Sequence, residues 1–234
     1  MKRPALIALA TALMLTGCGR SGNEDQVVVS VIGRDIRLRD PGSAPPRRVE
    51  AALLGAVAQG LVRLDAGAQV EPGLAMRWAI SDDGLYYTFR LNHARADAER
   101  IASRLRRLLN RYRDGSLDTR LDGVREVVAV TPEVIEIRLA APRPELMALL
   151  AGPGFALLLD GKGSGPLLVD GKVGRLTVLK PPPVAEDSEG DKAKAEARRR
   201  ILLRGERAGR AVARFANGEA ALVTGGSFDD FLYT

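Results

Sequence analysis

The chain has 234 residues, 46% apolar and 27% charged, a composition ordinary for a soluble globular protein and a length that suits one large domain or two modest ones. With 35 Lys and Arg against 29 Asp and Glu, the formal charge of +6 is a mild excess that does not by itself argue for a nucleic-acid partner. A single cysteine excludes an internal disulfide and a cysteine metal cluster, and a single histidine excludes a multi-histidine metal site.

Lys2 and Arg3 precede an apolar run, Ala5 to Leu15, which is too short to span a bilayer as a helix. Leu15-Thr16-Gly17-Cys18 follows and resembles a bacterial lipobox. Small residues before Cys18 let a peptidase approach the backbone, and the Cys18 thiol would carry a diacylglyceryl group. Residues 1–18 are therefore expected to be a lipoprotein signal peptide with Cys18 as the lipidated residue; an ordinary secretory signal with a chance cysteine is the alternative. Residues 19–26 contain Ser21-Gly22-Asn23-Glu24-Asp25 and read as a flexible tether.

Val27 to Ile32 is a nearly continuous apolar strand, expected to be buried on both faces. Arg34 to Arg48 is a loop with three prolines. Leu53, Leu54, Val57 and Leu61 recur at helical spacing, with Gly60 expected as a left-handed cap. Val62 and Leu64 begin a strand that turns at Asp65-Ala66-Gly67. Trp78 and Ile80 lead into the turn Ser81-Asp82-Asp83-Gly84. Leu85, Tyr87, Phe89 and Leu91 then alternate with Tyr86, Thr88 and Arg90, as in a half-buried hairpin strand. Trp78 is expected to be a buried structural residue.

Asp97 to Tyr112 reads as a helix with Ile101, Leu105, Leu108, Leu109 and Tyr112 inward. Val124 to Val130 and Val134 to Leu139 are strands, and a short helix runs to Leu150. Gly163-Ser164-Gly165-Pro166 is a crossing point, where glycine relaxes dihedral limits and proline fixes a corner. Strands follow at Leu176 to Leu179 and Arg199 to Arg204, separated by a proline-rich and acidic loop from Pro181 to Lys192. Glu206 to Phe215 is a helix with Ala208, Ala211, Val212 and Phe215 inward, and Ala221-Leu222-Val223 starts a last strand.

The run from Gly60 to Leu91 resembles the signature of bacterial ABC-transporter solute-binding proteins of the oligopeptide, dipeptide and nickel type, extracellular solute-binding family 5. Gly60-Leu61-Val62, Pro72, Leu74-Ala75, Trp78, Ser81-Asp82-Asp83-Gly84 and Tyr87-Thr88-Phe89 fit it in order. Ala140-Ala141-Pro142-Arg143-Pro144 and Gly163-Ser164-Gly165-Pro166 are similar to further family elements, whereas Arg39 interrupts the "leu-asp-pro" element. The resemblance implies an α/β fold of periplasmic-binding-protein type with two lobes, lobe I over residues 27–161 and lobe II over residues 162–234. Family members are longer, so lobe II is expected to be incomplete, and the chain a fragment or a shortened relative.

The resemblance implies capture of a solute, by default a peptide, outside the cytoplasmic membrane and delivery to ABC permease subunits. By analogy the loop around Gly42, Ser43 and Ala44 would face the ligand. The lipid at Cys18 would hold the protein on the membrane. Neither a cofactor nor a metal is expected, and a nucleic-acid partner is not expected either, because export and the scarcity of aromatic stacking partners argue against it. The arginines between Arg104 and Arg113 read better as a solvated helix face, with attraction to the anionic membrane surface as the other reading.

An exported enzyme is the rival class, and its motifs fail. Asp82 and Asp83 sit in a turn, where bonding to the local backbone is the better reading than an acid–base pair. No Gly-x-Ser-x-Gly elbow surrounds Ser164 or Ser227. Gly161-Lys162 lacks the spacing of a phosphate loop. The remaining alternative is an envelope lipoprotein that uses the same fold as a protein-interaction module without transport. Lipidation at Cys18 is checked by labelling cells with a fatty-acid analogue: the wild type should be marked and Cys18→Ala should not, and equal labelling of both would sink the assignment.

Overall fold

The computed structural model describes residues 25–92, 97–115, 123–159, 163–183 and 199–233. Cys18, most of the tether, His93, Gly161, Lys162 and most of the acidic loop fall outside them. In chain order the elements are β1 (Gln26–Ile32), α1 (Arg48–Val57), β2 (Val62–Leu64), β3 (Val70–Pro72), β4 (Ala75–Ile80), β5 (Tyr86–Leu91) and α2 (Ala98–Gly115). There follow β6 (Val124–Thr131), β7 (Val134–Leu139), α3 (Leu146–Leu150), β8 (Leu168–Val173), β9 (Leu176–Lys180), β10 (Arg200–Glu206), α4 (Ala208–Ala216) and β11 (Leu222–Thr224). Short 3-10 turns occupy Pro153–Phe155 and Phe228–Tyr233.

The α/β class expected from the sequence is the class observed. One sheet has five strands in the order β11-β1-β10-β9-β8, and another has four in the order β4-β5-β7-β6. β1 is flanked by β10 and β11, both parallel to it, which explains its nearly continuous apolar run: a central strand with parallel neighbours is covered on both faces. The four-stranded sheet is antiparallel throughout, and its residues alternate instead. Tyr87, Phe89 and Leu91 of β5 are buried while Tyr86 is exposed, as the period of two requires.

The sheets do not divide the chain at residues 161/162. β1, from the stretch read as lobe I, pairs with β10 and β11, from the stretch read as lobe II, and the four-stranded sheet is built wholly from residues between them. Parallel strands need a crossover connection, and here that crossover contains an entire second sheet. Local patterning reports each strand but not its partner 174 residues away.

Each sheet has its own core. Helix α2 lays Ile101, Ala102, Leu105, Leu108 and Leu109 on the four-stranded sheet against Phe89, Val127, Ile135 and Ile137. Asp97 caps that helix, its Oδ1 accepting from the Arg100 N–H at 3.0 Å. Helix α1 lays Val49, Leu53 and Val57 on one face of the five-stranded sheet against Val29, Val31, Leu179 and Leu203. Trp78 is half-buried at the margin of the first core rather than fully enclosed, because it lies on β4, which ends the sheet order.

Two turns follow from side-chain chemistry. Asp65 Oδ1 accepts from the N–H groups of Gly67 and Gln69, each at 2.8 Å, closing the β2–β3 hairpin. The Ser81 hydroxyl donates to Asp83 Oδ1 at 2.5 Å and accepts from the Tyr86 N–H at 2.9 Å, while Gly84 takes φ +68°. The Ser81 hydroxyl, then the Leu85 N–H, hold the Asp83 carboxyl below the usual carboxylate range. This is the turn role expected for that residue.

Glu50, in the first turn of α1, is fully buried. It accepts from the Arg47 N–H at 3.0 Å and from Arg47 Nη2 at 2.8 Å, and Arg39 Nε stands 3.6 Å away. The hydrogen bond from the Arg47 side chain is the largest reason its pKa lies below the ordinary value. A carboxyl with a depressed folded pKa adds stability above its unfolded value, about 4.3, and loses it as the pH falls through the folded value. Glu50→Gln should therefore destabilise the protein by a constant amount at neutral pH. The gap to the wild type should narrow below about pH 4.3; denaturant melts at a series of pH values check this, and a gap that widens in acid would refute it.

Candidate functional site

The two sheets meet where helix α1 ends. The last carbonyls of a helix have no partner within it and must find one elsewhere. At Ala58 the backbone turns extended, with φ −136° and ψ 156°. The Val57 carbonyl then accepts from the Gly165 N–H at 2.9 Å and the Ala56 carbonyl from the Leu167 N–H at 3.2 Å. Gln59 pairs with Leu157 as an isolated antiparallel bridge. Ser164, 4% exposed, donates from Oγ to the Leu157 carbonyl at 2.8 Å and accepts from the Gln59 N–H at 3.2 Å.

Glycine is required here by contact rather than by dihedral freedom. A Cβ on Gly163 would stand 1.8 Å from the Val57 oxygen, and one on Gly165 2.7 Å from the Ala58 nitrogen. A Cβ on Gly60 would stand 2.4 Å from the Leu150 oxygen. None of the three has positive φ. This corrects two sequence expectations: α1 stops at Val57, so Gly60 is no left-handed cap, and the crossing glycines serve close backbone approach.

Beside this junction is a cleft of about 320 Å³, lined by Gln59, Arg63, Gly73, Asn92, Ser164 and Pro166 among others. Among the described residues its lining includes the carboxamides of Gln59 and Asn92, the Ser164 hydroxyl and two glycines, with Arg63 as the single ionic side chain. Arg63 Nε donates to the Pro72 carbonyl at 3.2 Å and faces Glu71 at 3.0 Å. Such a surface can orient a ligand through hydrogen bonds. Gln59, Arg63 and Asn92 carry no sequence motif, so periodicity and spacing gave no signal for them.

Gly42, Ser43 and Ala44 do not line this cleft. They follow Asp40, whose Oδ1 accepts from the Gly42 N–H at 2.8 Å and whose carbonyl accepts from the Ser43 N–H at 2.8 Å. The loop is fastened to α2: Arg111 Nε donates to the Gly42 carbonyl at 2.8 Å, and Arg104 Nη1 stands 3.5 Å from Asp40 Oδ2. Two of the arginines read as a solvated face thus hold a loop. Among the described residues no cluster of His, Cys, Asp and Glu suits a metal ion, and no helix is long and apolar enough to cross a membrane.

The architecture, a mixed sheet with covering helices joined to an inserted antiparallel unit, is the α/β fold of periplasmic binding proteins. Solved structures with this fold include HbpA2 from Haemophilus parasuis, at TM-score 0.65 and 19% identity, covering 88% of this chain and 48% of that one. The periplasmic binding protein DppA from Helicobacter pylori, associated with an ABC transporter and in complex with the peptide STSA, superposes at TM-score 0.63 and 19% identity, covering 88% and 48%. NikZ from Campylobacter jejuni, in complex with Ni(L-His), superposes at TM-score 0.57 and 22% identity, covering 84% and 42%. No family model matches the chain, and no curated protein matches it in sequence. The chain spans about half the length of the solved structures it resembles. DppA is a periplasmic binding protein and NikZ was solved with a bound nickel complex, in keeping with the resemblance read from Gly60 to Leu91.

The junction geometry predicts opposite outcomes for two glycine substitutions. Gly163→Ala forces a carbon against the Val57 carbonyl and should destabilise the protein by about 1–3 kcal/mol or more. Gly55→Ala, exposed inside α1 with nothing within 4 Å of the added carbon, should stabilise it by about 0.5–1 kcal/mol. Thermal melts of both variants test this, and equal effects would contradict it.

Proposed function

We propose that this protein is the extracytoplasmic solute-binding component of an ABC import system, with a peptide as its solute. The observation that carries the reading is the superposition of 88% of the chain on a binding protein holding a peptide. The cleft chemistry supports it, because a peptide offers amide donors and acceptors that match a lining of backbone and carboxamide groups. In this reading a lipid at Cys18 holds the protein at the outer face of the membrane. The ABC permease subunits receive the solute from the cleft. The loop at Gly42, Ser43 and Ala44 is a second ligand-facing element, kept in place by Arg104 and Arg111. No chemical step and no cofactor is involved.

Calorimetric titration of the purified protein, without residues 1–18, with a pool of short peptides tests the reading. The wild type should bind with measurable heat. Asn92→Ala and Gln59→Ala should each weaken binding roughly tenfold, the factor that corresponds to about 1.4 kcal/mol for a lost ligand contact. Binding unchanged in both variants would remove the cleft from the mechanism. Absence of peptide binding by the wild type, together with binding of a protein partner, would favour the envelope interaction module instead.

A further inference from the structure

The loop that carries Gly42, Ser43 and Ala44 joins β1 to α1, and both of its ends reach one carboxylate. Glu50, fully buried, accepts at Oε1 from Arg47 Nε at 3.1 Å and from Arg47 Nη2 at 2.8 Å. Arg39 Nε, from the opposite end of the loop, stands 3.6 Å from the same oxygen. Capping of α1 needs only the bond from the Arg47 N–H to Glu50 Oε2, at 3.0 Å. A glutamate on the helix surface would supply that bond without the cost of burying a charge. The remaining contacts close the loop rather than start the helix. They also give a partner to Arg39, the residue that interrupts the "leu-asp-pro" element.

The tip of the loop is held separately. Arg111 Nε donates to the Gly42 carbonyl and Arg104 faces Asp40, both from α2. These ties lead to the four-stranded core, where α2 packs. Glu50 leads instead through Val49 and Leu53 of α1 to the five-stranded core. Gly42, Ser43 and Ala44 bring no large apolar side chain of their own, and Ser43 is exposed. Polar ties at the base and at the tip, rather than packing, therefore set where these three residues stand.

We infer that Glu50 is a positioning residue for solute capture: through Arg39 and Arg47 it draws the two ends of the loop together, so that Gly42, Ser43 and Ala44 stand in their ligand-facing place before a solute arrives. The inference rests on the reading of this loop as a ligand-facing element. A loop ordered in advance adds affinity, because ordering it then takes nothing from the free energy of binding. Glu50 touches no solute and acts through the loop alone.

Hydrogen exchange and titration with a pool of short peptides, both on the purified protein, test the proposal together. Glu50→Gln keeps the size of the side chain and removes its charge. It should speed exchange at the Gly42 and Ser43 amides about tenfold. It should also weaken peptide binding about tenfold, or about 1.4 kcal/mol. Arg39→Gln, at an exposed position, should move both readouts in the same direction, and serves if Glu50→Gln fails to fold. Ile135→Val, a truncation in the four-stranded core, also lowers stability but should move neither readout, which separates positioning of the loop from general destabilisation. Loop exchange unchanged in both Glu50→Gln and Arg39→Gln overturns the proposal. So does faster loop exchange with peptide affinity unaltered, or an affinity loss that Ile135→Val reproduces. These outcomes leave the functional reading standing. A wild type that binds no peptide defeats that reading, and the positioning role with it.

Discussion

The contact between the Val57 carbonyl and the backbone at Gly163 to Gly165 sets the relation of the two sheets. Val57 is the last residue of α1, and its carbonyl must be satisfied outside the helix. Only a segment without side chains at Gly163 and Gly165 comes close enough to do so, with the Gly165 N–H 2.9 Å away. The chain on either side of this contact belongs to different cores. Leu53 and Val57 pack beneath the five-stranded sheet, while Leu61 and Val62 pack against the four-stranded one. Backbone contact, unlike side-chain contact, leaves no rotamer to adjust, so the two cores are joined through a stiff element.

That stiffness fits the topology. The four-stranded sheet is an insertion in the crossover between β1 and β10, entering after α1 and leaving before β8. An inserted unit held only by two strands of chain would swing freely. Here the entering and leaving segments bond each other, with the Leu157 N–H on the Gln59 carbonyl at 3.0 Å and Ser164 bridging both. Away from the junction, Arg104 and Arg111 of α2 add a second tie to the Asp40–Gly42 loop. An exposed arginine contact contributes little energy by itself. Two of them at i and i+7, on one face of a helix, fix an orientation all the same.

Much of this architecture was legible along the chain, because local signals are strong where one face meets solvent. The alternation of Tyr87, Phe89 and Leu91, the Ser81–Gly84 turn and the stripe from Ile101 to Leu109 each appear where their spacing places them. What periodicity could not report was pairing. The sequence reading placed β1 with the residues that follow it, whereas its neighbours come from the far end of the chain. It also gave Gly60, Gly163 and Gly165 a dihedral role, since a glycine that admits a neighbouring carbonyl looks no different in sequence from one that turns the chain. Gln59 and Asn92 of the cleft carry no pattern, because their place is set by a contact between distant segments.

Phe215 and Arg204 show the same limit from another side. A stripe of Ala208, Ala211, Val212 and Phe215 reads as four inward residues; the first two are buried and Val212 is half-buried. Whether Phe215 is covered depends on the width of the sheet beneath it and on what else shares that face. β10 carries three ionisable groups onto that face, Arg200, Arg204 and Glu206, with equal sequence warning. Glu206 is embraced by Ser30 and Arg214 because α4 lies over β1, one strand away. Arg204 points across the register toward Leu176 and Val173, where the described chain supplies no acceptor for its buried Nε. Beyond the edge of α4, Lys180 and Arg200 are paired with Asp170, while Val173, like Phe215, is exposed.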